Sequence, residues 1–278
     1  MMKLTWNNFT WITDKPAPPT QAQPPEQATD NSYGPNLWLP ANIAVVDNTL
    51  QAKTARNSGY KYQWPNGFIP DSGADQAWAA AEARLEVPSG KRLDYGIYVA
   101  SISCTDWSVF LTQNPNVTCG LFIYSDTAHE IDIVEIGRQN QGLYDNGNNQ
   151  NWVYQQPPSP PHDSNAQFVV QPWSQDGTQP DWNNLHRFLI DATQTVKSKE
   201  VTFGVTWRQG RPVEFAAAYG RVANPFVSPA ISWTSIVNAP DVNAEMSIYF
   251  NVWPYGGSST PDPTFALTSL KIPAFVDS

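Results

Sequence analysis

Cysteine, histidine and charge are all scarce in this chain of 278 residues. The two cysteines, Cys104 and Cys119, are too few for a disulfide scaffold and lack the paired spacing of a zinc site. Three histidines, none in ligand spacing, lend no support to a zinc or Ser-His-Asp mechanism. Charged residues make up 15%, against roughly 25% in an average soluble domain. They are also unbalanced, with 16 Lys+Arg against 25 Asp+Glu and a formal net charge of -9. That deficit of positive charge argues against nucleic acid and anionic membrane as partners, since both require a basic footprint. No apolar run approaches the roughly 18 residues that would span a bilayer. The N-terminus, Met1-Met2-Lys3-Leu4-Thr5-Trp6, lacks the apolar run and cleavage site of a signal peptide, and the compartment stays open.

Aromatic residues are abundant, at 13% with 12 Trp, and a hydrophobic fraction of 41% is too high for a disordered chain. Few charges and many flat rings suit a neutral polymer rich in hydroxyls. Short runs of alternating, β-branched and aromatic residues recur between Gly, Pro, Asn and Asp clusters. Ile43–Val46, Tyr95–Ala100, Leu121–Tyr124, Val201–Thr206 and Met246–Val252 are examples. Only Ala74–Leu85 has a helical look, and its Trp-Ala-Ala-Ala-Glu centre fits a strand as well. Many strands and scarce helices indicate an all-β, two-sheet antiparallel sandwich. Residues 1–35, rich in Pro, Gln, Thr and Ala after residue 14, are expected to form an extended lead-in packed on or near a single domain over 36–278. The Asn/Gln/Pro-rich stretch Asp145–Pro161 is expected to be a surface loop beside a site. Cys104 and Cys119 flank a loop between two strands expected to be neighbours, which leaves a cross-strand disulfide and two buried free thiols both open.

The informative segment is His129-Glu130-Ile131-Asp132-Ile133-Val134-Glu135-Ile136-Gly137, which sets three carboxylates in an apolar run. Burial of an unpaired charge is costly, so such a pattern needs a reason. In an extended strand Glu130 and Asp132 share a face, while regular pairing would turn Glu135 away. One bulge at Ile133-Val134 adds a residue and returns Glu135 to that face. Carboxylates in a row raise one another's pKa, which is poor for stability. It is useful for glycoside hydrolysis, where one carboxylate must be ionised and another protonated.

This strand resembles the active-site strand of glycoside hydrolase family 16, in the bulged form of laminarinases and some agarases and carrageenases. Other segments follow in the family's order: Asn36-Leu37-Trp38, Ile43–Leu50, Asp94-Tyr95-Gly96-Ile97-Tyr98, His186-Arg187-Phe188 with Asp191, and Phe250-Asn251-Val252-Trp253. The resemblance implies a β-jelly roll of the concanavalin A-like kind, with a substrate cleft on its concave sheet. It implies a retaining, endo-acting hydrolase of a β-linked polysaccharide, with a β-1,3- or mixed-linkage β-1,3/1,4-glucan as the first expectation. Glu130 would be the nucleophile and Glu135 the general acid/base, with Asp132 bonded to the nucleophile and helping to keep Glu135 protonated. Their carboxyl groups would then stand roughly 5–5.5 Å apart. A transglycosylase on the same fold, or a lectin-like module that only binds, is the alternative.

Sugar rings stack their C–H faces on aromatic planes. Trp253 is the first candidate for such a contact, against a place in the core. Trp107 and Trp152, in expected loops, are evenly open, and Asn36 is a candidate hydrogen-bonding partner for a sugar hydroxyl. Two departures from the family bear on the substrate: Asn116–Phe122 replaces a Trp-rich stretch, and Val99-Ala100-Ser101 follows Tyr98 where a charged residue is common. Family members often hold calcium through an Asp in the final strand; Phe265–Lys271 has no acid, so neither metal nor other cofactor is expected. The remaining expectations are a poly- or oligosaccharide partner, a monomer, and the extracellular setting usual for the family.

Overall fold

A computed structural model describes residues 2–13, 37–38, 40–56, 78–108, 110, 117–126, 128–137, 164–171, 184–254 and 263–278. In chain order the strands are β1 (Met2–Trp6), β2 (Phe9–Thr13), β3 (Leu37–Trp38), β4 (Ile43–Val46), β5 (Thr49–Lys53) and β6 (Ala55–Arg56). Then come β7 (Trp78–Leu85), β8 (Lys91–Arg92), β9 (Gly96–Cys104), β10 (Val117–Asp126), β11 (His129–Gly137), β12 (Ala166–Val170) and β13 (Leu185–Phe188). Helix α1 (Ala192–Ser198) precedes β14 (Glu200–Trp207), β15 (Pro212–Tyr219), β16 (Ile231–Asn238), β17 (Ser247–Pro254), β18 (Thr264–Lys271) and β19 (Val276–Asp277).

The strands form a jelly-roll sandwich. One sheet runs β1-β2-β7-β17-β10-β11-β12-β13, with β3 and β6 also paired to β7. The facing sheet runs β16-β15-β14-β9-β18-β5-β4. Pairing is antiparallel throughout except between β3 and β7. Alternation sorts the side chains as period two demands. In β14, Val201, Phe203, Val205 and Trp207 enter the core; in β17, Ile248, Phe250 and Val252 do, with Met246 just before the strand. Contact between the sheets includes Phe168 of β12 stacked on Phe215 of β15, with centroids 5.0 Å apart.

The ambiguous Ala74–Leu85 segment is a strand over its described part, because Ala81, Ala83 and Leu85 fill the core while Glu82 and Arg84 turn outward. Residues 2–13 form a hairpin within the first sheet, and Trp6 and Trp11 are buried in the core. Its turn, Asn7-Asn8, has φ of 55° and 63°, the paired left-handed conformation of a tight hairpin. Asp47-Asn48 does the same between β4 and β5. The Pro-rich part of the expected lead-in and the Asp145–Pro161 stretch lie outside the described residues. Helix α1 lies outside the one segment with a helical look, yet its cap is written locally. Asp191 accepts from the Thr193 and Gln194 amides at 2.6 and 3.3 Å, as an N-cap does.

The expectation that Cys104 and Cys119 lie on neighbouring strands is overturned. β9 and β10 belong to opposite sheets, and both thiols are free. Among the described residues, no helix is long and apolar enough to cross a membrane.

Candidate active site

The bulge forms at the expected place. In the β10–β11 ladder Phe122 faces Asp132 and Leu121 faces Val134, so Ile133 is the extra residue. The β11–β12 ladder slips at the same point, with Asp132 opposite Val169 and Glu135 opposite Gln167. Ile133 and Val134 therefore both enter the core, completely buried, and Glu135 returns to the outer face with Glu130 and Asp132. The driving force is local: two consecutive apolar residues can be buried together only if the ladder gains a residue.

Register then arranges the outer face of the sheet into rows that run across the strands. One row holds Glu82, Asn251, Gly120, Glu135 and Gln167, and Arg187 of β13 stands opposite Gln167. The next holds Arg84, Tyr249, Phe122, Asp132 and Val169. A third holds Ser247, Tyr124 and Glu130. Gly120 has a steric reason to lack a side chain, because a Cβ there would stand 2.6 Å from Asn251 Oδ1. Gly137, which ends the acidic strand at φ 144°, would drive a Cβ to 2.1 Å from the Val117 carbonyl.

Hydrogen bonds orient the acids. Gln167 Nε2 donates to Glu135 Oε2 at 2.5 Å, and the buried Arg187 donates from Nε to Gln167 Oε1 at 3.3 Å. Arg187 thus fixes which end of the Gln167 amide meets the carboxylate. Gln171 Nε2 donates to Asp132 Oδ2 at 3.3 Å. Asp132, 3% exposed, is held well above the usual carboxylate range, first by burial and then by the charges of Glu130 and Glu135. Glu130 is pushed up to about 8, again chiefly by burial, against a lowering hydrogen bond from Asp132. The hydrogen bond between the two acids raises Asp132 further and lowers Glu130, so at Glu130 it works against burial.

Of the residues expected at the site, the structure brings Glu130, Asp132 and Glu135 together on one face. Trp253 shares that face, opposite Thr118 and one step beyond Asn251, and is 6% exposed. Trp107 is corrected to a core residue. Its indole donates Nε1–H to the Lys199 carbonyl at 2.9 Å and packs edge-on to Phe265 at 5.9 Å, with 3% exposure. Asn36 and Trp152 lie outside the described residues. Sequence reading missed Gln167, Arg187, Glu82 and Arg84. Each stands at an outward position of an alternating strand, a signal readable only once the partner strand and its register are known.

No protein-family model and no curated protein matches the sequence. Solved structures do resemble the fold. A glycosyl hydrolase family protein from Mycobacterium fortuitum matches over 92% of this chain and 90% of its own, with a TM-score of 0.50 and 13% identity. A beta-1,3-glucanase from Mycobacterium marinum matches over 94% and 90%, at 0.49 and 13%. A glycosyl hydrolase family 16 protein from Mycobacterium smegmatis matches over 92% and 89%, at 0.47 and 12%. Likeness at this identity concerns the fold alone, the jelly-roll sandwich shared with the Mycobacterium fortuitum protein.

Proposed function

We propose that this protein is a retaining, endo-acting glycoside hydrolase of a β-linked polysaccharide, with a β-1,3- or β-1,3/1,4-glucan as substrate. The observation that supports it most is the bulge that brings Glu130, Asp132 and Glu135 onto one outer face, with Glu135 oriented by Gln167. A fold alone would not carry an activity. Three acids kept on a largely buried strand against the cost of their mutual repulsion are what an acid-base reaction requires and a binding module does not.

In this reading Glu130 attacks the anomeric carbon while Glu135 gives its proton to the departing glycosidic oxygen. The bond to the leaving sugar breaks, and an ester to Glu130 forms. Glu135, now ionised, takes a proton from water, which attacks the same carbon and releases Glu130. The hydrogen bond from Asp132 favours the ionised, attacking form of Glu130 against the larger opposing effect of burial. The Gln167 amide can stay bonded to one oxygen of Glu135 while the other exchanges the proton. With sugar in place of water as acceptor, the same steps give transglycosylation.

Reducing-end release from laminarin, mixed-linkage glucan, xyloglucan, agarose and carrageenan tests the reading. Wild type is expected to release ends from at least one glucan. Glu130→Gln should lower that rate by several orders of magnitude while melting cooperatively. Near-wild-type turnover by Glu130→Gln would sink the assignment.

A further inference from the structure

Three side chains from three adjacent strands meet end to end at one of the acids. Glu135 of β11, Gln167 of β12 and Arg187 of β13 stand directly opposite one another in the two ladders. Gln167 Nε2 donates to Glu135 Oε2 at 2.5 Å, and Arg187 Nε donates to Gln167 Oε1 at 3.3 Å. On its other side Glu135 faces Gly120, which contributes no side chain there. Arg187 is 3% exposed, so its charge is held inside the protein. The two ends of a glutamine amide are nearly isosteric, and only their partners decide which end points where. A protonated Glu135 by itself would take either end, receiving from the NH2 or donating its own proton to the amide oxygen. The second arrangement would tie the proton to Oε2 and withhold it from a leaving group. Arg187 forbids it, because a guanidinium has donors only and a flipped amide would set N–H against N–H in a buried place.

We propose that Arg187 is a positioning residue for the general acid, acting through Gln167 to keep the catalytic proton of Glu135 on Oε1, free to reach the departing oxygen. The role rests on the glycan-cleaving reading of Glu130 and Glu135. In the glycosylation step the Oε1–H bond breaks and an O–H bond forms on the leaving sugar. The electron pair left on Glu135 is shared with Oε2, where the Gln167 amide already donates. That hydrogen bond strengthens as charge develops, and no group has to turn. When water attacks the ester, Oε1 takes a proton back. The charged groups on the strand and row of Glu135 are Glu130 and Asp132 on β11, Glu82 on β7 and Arg187 on β13. The three acids favour the protonated form of Glu135, and Arg187 is the one cation of that row among the described residues. Removing Arg187 should therefore raise the pH at which Glu135 loses its proton.

Leaving-group dependence tests the role, because a group that departs without a proton makes no use of a positioned acid. The glycosylation step, read as kcat/KM, is compared for the best glucan of the panel and for a dinitrophenyl β-glycoside of the oligosaccharide it releases. Arg187→Met keeps the apolar stem of the side chain and removes its charge and donors. It is expected to lose about ten- to a hundred-fold on the glucan, to keep most of its rate on the aryl glycoside, and to move the basic limb for the glucan to higher pH. Arg187→Lys, which restores a donor and the charge, should recover most of the loss. Gln167→Met should reproduce the loss, and adding Arg187→Met to it should cost little more. If Arg187→Met fails to melt cooperatively, Gln167→Met and Arg187→Lys decide by the same contrast between substrates. Equal losses on both substrates would overturn the role, as would full activity of Arg187→Met or losses that multiply in the double variant. Any of these in an active wild type removes only the positioning role. A wild type inactive on every glucan and on the aryl glycoside removes the hydrolase reading, and the role with it.

Discussion

At the scale of single residues, the site is a place where chemistry is bought with stability. Burial raises Glu130 to about 8 and Asp132 well above the usual range. Both acids therefore bind protons more tightly in the folded chain than in the unfolded one, where they titrate near 4. Between these limits the native state carries more protons, so stability must fall as pH rises from about 4 to about 8. Glu130→Gln cannot ionise and should escape much of that loss. Its advantage over wild type is expected to grow across this window to the order of a few kcal/mol, read as Tm against pH. An identical pH slope in the two proteins would show that Glu130 titrates normally. The same shift places the acidic limb of kcat/KM above the ordinary carboxylate range, since the nucleophile must be ionised to act.

At the scale of elements, β11 shows how an irregularity can be the functional feature of a strand. Because Ile133 is the extra residue, deleting it should let the ladder close with Asp132 still opposite Phe122 and Glu135 still opposite Gly120. The shortened protein should fold, weakened by about 2–5 kcal/mol for the lost core side chain. Deleting Ile131 removes no more bulk but reverses the facing of Glu130, forcing its carboxylate toward the core. That variant is expected not to fold, and circular dichroism melting of the pair checks the contrast. If both deletions behave alike, the two-residue inward step at Ile133-Val134 is not what sets the face.

At the scale of the whole molecule, two sheets and their shared core account for the fold without crosslinks among the described residues. Cys104 and Cys119 sit on opposite sheets as free thiols. Burial pushes the Cys104 thiol up to about 12 and that of Cys119 well above its ordinary value. The thiolate is the reactive form, so native protein should resist iodoacetamide at neutral pH and become modified only on unfolding. Reductant should leave Tm unchanged. Labelling of the folded protein at the rate of a free thiol would show that the sandwich opens at this edge.

Much of the molecule was legible in the order of its residues. Alternation along β9, β10, β14 and β17 declares which side chains are buried, because a pleated strand has only two faces. The acidic strand even declares its own bulge, since Ile133 and Val134 must both be buried and Glu135 must not. What local pattern could not supply is who stands beside whom. Cys104 and Cys119 are close in sequence, yet the chain crosses from one sheet to the other between them. Trp107 has the composition of a loop aromatic but meets Phe265 inside the core. The order β7-β17-β10-β11-β12 joins residues from opposite ends of the chain. Only that order carries Arg187 through Gln167 to Glu135, and Tyr249 to Phe122 and the carboxylates. Strand faces are set by a two-residue period, whereas neighbours across a sheet are set by long-range pairing that no short segment encodes.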